Sequence, residues 1–247
     1  MADPPDQTRA GTGPGLPLWP LALLAGVLPA VAALLAFGLS VHLELVPGCN
    51  PFIDGCTSIS RAARHDLPNH LFRALMLPGA TLQGLVWLLA AHWLRGHLGA
   101  RPGLRAMALL GALAALALVL YATFLGTEGG IYRLLRQYGT VVYFGFTCLS
   151  MLLLGQAAQA LARQGGSGLP SWLVHAHVAL ACTLVGLGLV NAIVAALLSS
   201  AWKARIENVT EWWGALIFVL CFCALAAMWW RNGLRLRLHG QPGRPWM

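Results

Sequence analysis

Charged residues are the scarcest class of side chain in this 247-residue sequence. Only 10% of the residues are Asp, Glu, Lys or Arg, whereas 58% are hydrophobic, and a soluble domain carries about 25% charged residues. This shortage excludes a water-soluble globular domain, because a core of this size could not hide so many uninterrupted apolar runs. Lysine is nearly absent, since Lys203 is the one lysine among 16 basic residues. The Arg-, Ala- and Leu-rich composition that results indicates a GC-rich, bacterial genome.

Acidic residues and catalytic motifs are also in short supply. The net charge of +8 could indicate nucleic-acid binding, but the arginines lie beside apolar spans and form no patch interleaved with aromatic residues. No nucleic-acid partner is therefore predicted. No string of acids crosses the apolar runs, which does not favour proton-driven transport. The nucleophile-elbow, Walker, dinucleotide and H-E-x-x-H motifs are absent, so no catalytic residue, metal site or cofactor is assigned.

Six long apolar stretches are what the sequence has instead. The sixth begins at Trp212-Trp213 and ends at Trp229-Trp230. The helix from Trp212 to Trp230 would be roughly 27 Å long, close to the ~30 Å hydrocarbon core of a bilayer, and indole rings prefer the headgroup level. The sequence therefore predicts an all-α polytopic membrane protein, a bundle of six transmembrane helices without strands. The predicted helices cover about 17–44, 69–95, 104–125, 137–162, 171–201 and 212–231.

The two ends of the chain differ from its apolar middle. Residues 1–16 are predicted to be a disordered N-terminal tail, 17–235 the transmembrane domain and 236–247 a basic C-terminal tail. The first apolar run exceeds the core of a signal peptide, which is about 7–15 residues long, so it is predicted to stay as a spanning helix. Six spans put both tails on one side, which holds nine of the 16 basic residues. This favours a bacterial inner-membrane protein with both termini cytoplasmic.

The connection 45–68 is the longest between the predicted helices and the richest in polar groups. With the neighbouring helix ends it offers candidate residues for binding a lipid headgroup, because guanidinium groups form paired hydrogen bonds with phosphate. His65, Asp66 and His70 could also be ligands of a zinc-like ion. A solvated loop without a binding role is the alternative. The candidate set is Asp54, Arg61, Arg64, His65, Asp66, His70, Arg73 and Glu211.

Arg73 stands out in this set because it lies about one turn inside the second predicted helix. A charge in lipid is costly, so we expect its side chain to reach outward or to pair with an acid. Two roles for Arg73 are consistent with this position: a structural ion pair and a contact with a lipid headgroup. The possible acidic partners of Arg73 are Glu44, Asp66, Glu128, Glu207 and Glu211.

Two of the six cysteines lie in the same connection. Cys49 and Cys56 have six residues between them, a spacing that permits a disulfide if this side faces an oxidising compartment. Two free, partly buried thiols are the alternative. The spacing does not match a closed zinc site. The remaining cysteines lie in apolar spans and are predicted to be small core residues: Cys148, Cys182, Cys221 and Cys223.

Three functions are consistent with these features. The first is a non-enzymatic or accessory membrane protein that engages lipid through its polar cluster, with membrane lipids, another membrane protein or a second copy of the chain as partners. The second is a metal-dependent lipid hydrolase or transferase that uses His65, Asp66 or His70. The third is a b-type haem redox protein. It is the least favoured, because His70 and His92 would lie roughly 33 Å apart along one helix, at opposite membrane surfaces.

Four short segments resemble a known family. Pro51-Phe52-Ile53-Asp54 is followed by Leu71-Phe72 at the second helix, Arg136-Gln137-Tyr138 begins a run to Phe146, and Glu211-Trp212 opens the last helix. These segments resemble the loop-one signature and the fourth- and sixth-helix starts of the Frag/DRAM/Sfk family of six-helix membrane proteins. Its members include a factor in GPI-anchor lipid remodelling and the damage-regulated autophagy modulators. The resemblance implies a six-span fold, with Asp54 and Glu211 on a shared outer surface, and no defined biochemical activity.

Overall fold

The computed structural model describes residues 15–164, 168–197 and 199–236. The elements of these residues are, in chain order, β1 (Leu16–Pro17), α1 (Trp19–His42), α2 (Ile59–Ala62), α3 (Asp66–Leu98), α4 (Pro102–Phe124), α5 (Gly130–Arg163), α6 (Ser171–Leu197), α7 (Ser200–Arg231) and β2 (Arg235–Leu236). The helix α2 is a single turn. The other six helices are long and apolar enough to cross a membrane. The prediction of an all-α, six-span membrane protein is confirmed.

The helices extend further than their apolar segments. α5 begins at Gly130 and α7 at Ser200, whereas the sequence predicts starts near 137 and 212, so most of the predicted loops 126–136 and 202–211 is helical. These stretches contain Arg, Leu, Lys, Glu and Ala, which are good helix formers. A helix satisfies its own backbone hydrogen bonds, so it continues past the apolar boundary into the interface. Hydropathy marks only the membrane-crossing part.

The prediction that the chain has no strands is wrong at its two ends. β1 pairs with β2 in antiparallel register, Leu16 opposite Leu236 and Pro17 opposite Arg235. The next residue inward, Leu18, donates its N–H to the carbonyl of Leu234 at 3.1 Å. Two residues assigned to the predicted tails, Leu16 and Leu236, therefore belong to the ordered structure. The other predicted tail residues, apart from Gly15, lie outside the described part.

The six long helices form a closed ring in which each packs against its neighbours. The order around the ring is α1, α3, α4, α5, α6 and α7, and α7 returns to α1. Two groups of buried residues fill the ring. One contains Trp87, Trp93 and Trp229 and lies toward the chain ends. The other contains Phe72, Tyr121 and Trp212 and lies toward the opposite face.

On α1, small residues make the helix contacts and large ones face outward. α1 buries only small side chains, among them Ala22, Ala25 and Ala36, while its Leu24 and Leu34 are exposed. Lipid tails are as apolar as leucine, so burying leucine between helices gains little, whereas small side chains let two helices approach closely. This arrangement inverts the pattern of a water-soluble protein and agrees with a lipid environment.

The two tryptophan pairs of α7 are each split between the core and the surface. Trp212 and Trp229 are almost completely buried, whereas Trp213 and Trp230 are 44% and 59% exposed. Only the second member of each pair can lie in the headgroup layer, as the sequence predicts for both. The first member is part of the packing of the bundle, because adjacent residues on a helix point about 100° apart.

Gly111 on α4 tests how tightly the bundle is packed. A methyl group at this position would overlap the ring of Trp87 on α3, which is fully buried and cannot move aside. We expect Gly111→Ala to lower the free energy of unfolding by about 1–3 kcal/mol, measured in detergent. Gly145→Ala on α5 is the matched control, because no atom lies within 4 Å of its added methyl group. Equal stability of the two variants would contradict this packing.

Candidate functional site

The face of the bundle opposite the chain ends, here the distal face, is formed by residues 43–65, the turn 125–129 and the start of α7. A disulfide joins Cys49 to Cys56, with their Cα atoms 6.6 Å apart. Between them, Asp54 accepts a hydrogen bond from the Asn50 N–H at 2.9 Å, and the Asn50 side chain accepts one from the Phe52 N–H at 3.1 Å. The segment is therefore a compact turn stabilised by its own polar groups.

Three side chains of α7 attach this turn to the bundle. Trp212 Nε1 donates to the carbonyl of Thr57 at 3.0 Å, Trp213 Nε1 to the carbonyl of Phe52 at 3.1 Å, and Asn208 Nδ2 to the carbonyl of Gly55 at 2.8 Å. Gly55 has a φ of +59°, and a methyl group there would overlap the backbone of α7. Only glycine allows this close approach.

Aromatic contacts reinforce the attachment. The Phe52 ring lies 5.5 Å from both Trp212 and Trp213, measured between ring centroids. Trp212 also makes an edge contact with Phe37 on α1 at 5.5 Å. Such pairs add about 0.5–1.5 kcal/mol each beyond their buried area. Phe52 therefore joins the turn to α7, and Trp212 joins α7 to α1.

The side chains of Asn69 and Arg136 connect the other segments of the distal face. Asn69 Nδ2 donates to the carbonyls of Ala63 and Leu125, at 2.9 and 3.1 Å. Arg136 donates to the carbonyls of Phe124 and Thr127. These bonds connect the 43–65 segment and α3 to the α4–α5 turn. The carbonyls at helix ends have no partner within their helix, so these side chains supply one.

A cavity of about 120 Å³ lies beneath the distal face, inside the ring of helices. On α7 its wall runs from Glu211 to Phe222, and on α3 from Phe72 to Gln83. Eleven residues of helix extend ~16 Å, so the cavity is long and narrow. Its length is about half the ~30 Å hydrocarbon thickness of a bilayer, the depth of one leaflet.

The cavity also reaches the lipid-facing surface of the bundle. Leu34 of α1 and Leu216 of α7 line it, and these side chains are 54% and 37% exposed. We call this place the α1–α7 seam. The neighbouring wall residues are small, among them Ala30 and Ala215. The cavity therefore meets the bilayer sideways, while the Cys49–Cys56 turn covers its distal end.

Polar side chains interrupt the apolar wall at two depths. Near the distal end, Glu211 Oε1 accepts a hydrogen bond from the Ser60 N–H at 3.4 Å, and the Tyr121 hydroxyl lies beside the Ser60 side chain. Deeper in the bundle, Gln83 Nε2 donates to the carbonyl of Ala25 at 3.0 Å, and the Tyr143 hydroxyl lies beside Gln83. The cavity thus has one acidic end and an uncharged interior.

The structure separates the eight predicted headgroup residues. Glu211 alone lines the cavity, and Asp54 stabilises the Cys49–Cys56 turn. Arg73 is half-buried on α3. It makes no ion pair, since the single ion pair among the described residues joins Lys203 to Glu207 at 3.9 Å. The other five are exposed on the surface of the distal face: Arg61, Arg64, His65, Asp66 and His70.

The predicted ligand groups for a metal or haem do not converge. Among the described residues there is no group of three or more His, Cys, Asp or Glu side chains arranged to hold a metal ion. His42, His70, His92 and His175 are exposed. His177 is buried, and its Nε2 donates to the carbonyl of Met151 at 3.1 Å, a contact that joins α6 to α5.

Sequence analysis missed Ser60 as a partner and Tyr121 and Tyr143 as site residues. A tyrosine in an apolar helix resembles any other large core residue, so no local signal distinguishes them. Gln83 hydrogen-bonds between helices through its bond to α1. Asn191 on α6 does the same, because it accepts a hydrogen bond from Thr210 on α7 at 2.7 Å.

Trp212 tests whether the distal face depends on its contact with α7. Trp212→Phe removes the donor to Thr57 and leaves a buried carbonyl without its partner, so we expect a loss of about 1–3 kcal/mol in unfolding free energy and faster proteolysis within 43–65. Trp230→Phe is the matched control because Trp230 is exposed, and it should change stability by less than about 0.5 kcal/mol. Similar effects of both substitutions would refute this role for Trp212.

Comparison with protein-family models, curated proteins and solved structures finds no match to the chain. The resemblance to the Frag/DRAM/Sfk family therefore stays a prediction. The plain conclusion is that the chain is a multi-pass membrane protein with an apolar cavity and one carboxyl group at its distal end.

Proposed function

We propose that this protein binds one hydrocarbon chain of a membrane lipid inside its helical bundle. The observation that carries the proposal is the cavity between Glu211 and Phe222, about 120 Å³ in volume, whose wall reaches the α1–α7 seam. An engineered protein cavity of about 150 Å³ holds a benzene molecule. Here a similar volume is spread over ~16 Å of helix, which suits a linear chain better than a ring.

The membrane supplies the occupant. Lipid chains surround the bundle at the α1–α7 seam, where Leu34 and Leu216 are exposed. An apolar void without atoms loses the dispersion contacts of its lining, so a chain that enters from the bilayer restores contacts that the empty protein lacks. The depth of the cavity, about one leaflet, allows a chain to enter while its polar end stays near the distal face.

The proposal is for binding without catalysis, as an accessory membrane protein. The alternative of a metal-dependent lipid hydrolase or transferase requires His65, Asp66 or His70 to converge above a water-filled pocket. All three are exposed and none lines the cavity, so the alternative gains no support. Membrane lipids are accordingly the proposed partners, and association with a second copy or another membrane protein stays a prediction.

We also propose that the protein lies in a bacterial inner membrane with both termini in the cytoplasm. The pairing of β1 with β2 supports a common side for the two ends, and nine of the 16 basic residues are assigned to it. The Cys49–Cys56 disulfide on the distal face fits an oxidising compartment there. A reporter that is active only in the cytoplasm, fused to either end of the chain, tests this arrangement. We expect both fusions to be active.

Filling the cavity tests lipid binding directly. Ala215→Phe puts a ring into the space beside the α1–α7 seam, so we expect the lipid that copurifies with the protein to fall at least about tenfold, a loss of ~1.4 kcal/mol in binding. Native mass spectrometry of the detergent-purified full chain measures the lipid bound per protein. Ala215→Leu fills less of the space and should give an intermediate value.

Ala176→Phe is the matched control, because Ala176 is exposed on α6 and lies outside the cavity. It should retain the wild-type amount of lipid. Thermal unfolding of each variant shows that the bundle is intact. If Ala215→Phe folds and keeps its lipid, or if the wild-type chain carries none, the proposed function is wrong.

A further inference from the structure

We infer that the ligand of the cavity carries a hydrogen-bond donor, an ammonium or hydroxyl group, at the end of its chain that meets Glu211. This inference rests on the proposed function and narrows its ligand class. Among the described residues of the cavity wall, Glu211 is the only acidic or basic side chain. A chain that occupies the ~16 Å between Phe222 and Glu211 therefore presents its polar end to a carboxyl group, while the charges of Arg64 and Arg136 act on this end from outside the wall.

The partners that the protein gives this carboxyl group are backbone N–H groups, those of Ser60 and Ile59. The nitrogen of Ser60 lies 3.4 Å from Glu211 Oε1, long for such a bond, whose usual length is about 2.9 Å. The ion pair of the described residues involves Lys203 and Glu207, not Glu211. A carboxylate has about four acceptor positions, so a donor on the ligand would occupy one that the two N–H groups leave open.

The arginines of the distal face lie outside the cavity wall. Arg136 donates to two carbonyls of the α4–α5 turn, and Arg61 and Arg64 are exposed, although the charges of Arg64 and Arg136 reach Tyr121. A phosphate can meet the exposed guanidinium groups at the surface of the distal face. Within the cavity, a carboxylate or phosphate at the chain end would meet the carboxyl group of Glu211 and no cation of the wall.

The uncharged polar groups at the same depth agree with a donor. The Tyr121 hydroxyl lies beside the Ser60 side chain, and the backbone N–H of Ser60 meets Glu211. Hydroxyl oxygens accept hydrogen bonds as readily as they donate. Together they form a small acceptor-rich end on an otherwise apolar cavity. An ammonium or hydroxyl group reaches both the carboxyl and the hydroxyl oxygens, whereas an ether or ester end has no hydrogen to give.

The test compares three amphiphiles with the same twelve-carbon chain: dodecylamine, monolaurin and laurate. Each is added at equal concentration to the full-length protein in phosphatidylcholine nanodiscs, and native mass spectrometry measures the bound fraction. A hydrogen bond to a charged group changes affinity by roughly ten- to hundredfold. We expect dodecylamine and monolaurin to bind at least about tenfold more tightly than laurate.

The order of the two donors identifies the chemistry. Tighter binding of dodecylamine indicates charge pairing with Glu211, and equal or tighter binding of monolaurin indicates hydrogen bonding by a hydroxyl group. Both orders support the inference. Equal binding of all three, or a preference for laurate, overturns it while leaving the proposed function standing. Binding of none of them overturns both.

Paired substitutions assign the preference to Glu211. Glu211→Gln keeps the size of the side chain and removes its charge, so we expect it to bind all three amphiphiles with affinities within about threefold of one another. Glu207→Gln is the control, one turn earlier on α7, where Glu207 pairs with Lys203 and lies outside the cavity wall. It should keep the wild-type preference. An unchanged preference in Glu211→Gln would show that another group selects the ligand.

Discussion

Lipid cannot form hydrogen bonds, and this constraint shapes every part of the bundle. Each polar group between the helices needs a partner within the protein. Gln83 meets the backbone of α1, Ser150 meets the carbonyl of Met107 at 3.2 Å, and Ser40 meets the carbonyl of Ala62 at 2.5 Å. These bonds require close backbones, which in turn require the alanines and glycines that fill the helix contacts. Gly111 against Trp87 is the tightest example.

The same constraint bears on the carboxyl group of Glu211. The bundle satisfies Asn69 with two carbonyls, and it gives Glu211 the backbone N–H groups of Ser60 and Ile59 and a place in the cavity wall. Trp212, the next residue of the wall, contacts Thr57, Phe37 and Phe52. A buried carboxyl group in a cleft of this kind is typical of functional sites.

The sequence predicted the six membrane spans but not where their helices begin and end. It predicted one residue of the cavity wall, Glu211, but not the cavity. Hydropathy reports the membrane-crossing part of a helix, so it could not show that α7 begins twelve residues before Trp212. Trp212 and Trp213 are chemically identical, so only the packed structure distinguishes the buried ring from the exposed one. Glu211 was selected as a possible partner of Arg73 and because the family resemblance implies a place for it on the outer surface. The cavity has no sequence signal, since its shape depends on the side-chain sizes of five helices at once.

The geometry of the walls also argues for the direction of ligand entry. The distal end is covered by a turn that has a disulfide, three hydrogen bonds to α7 and the Phe52 ring between two indoles, so opening it would break many contacts together. At the α1–α7 seam the barrier is the two leucine side chains Leu34 and Leu216, both exposed. Exposed side chains change rotamer in picoseconds to nanoseconds, while loop openings are far slower. A chain would therefore exchange sideways with the surrounding leaflet, and its polar end would travel along the interface to Glu211 without crossing the hydrocarbon core.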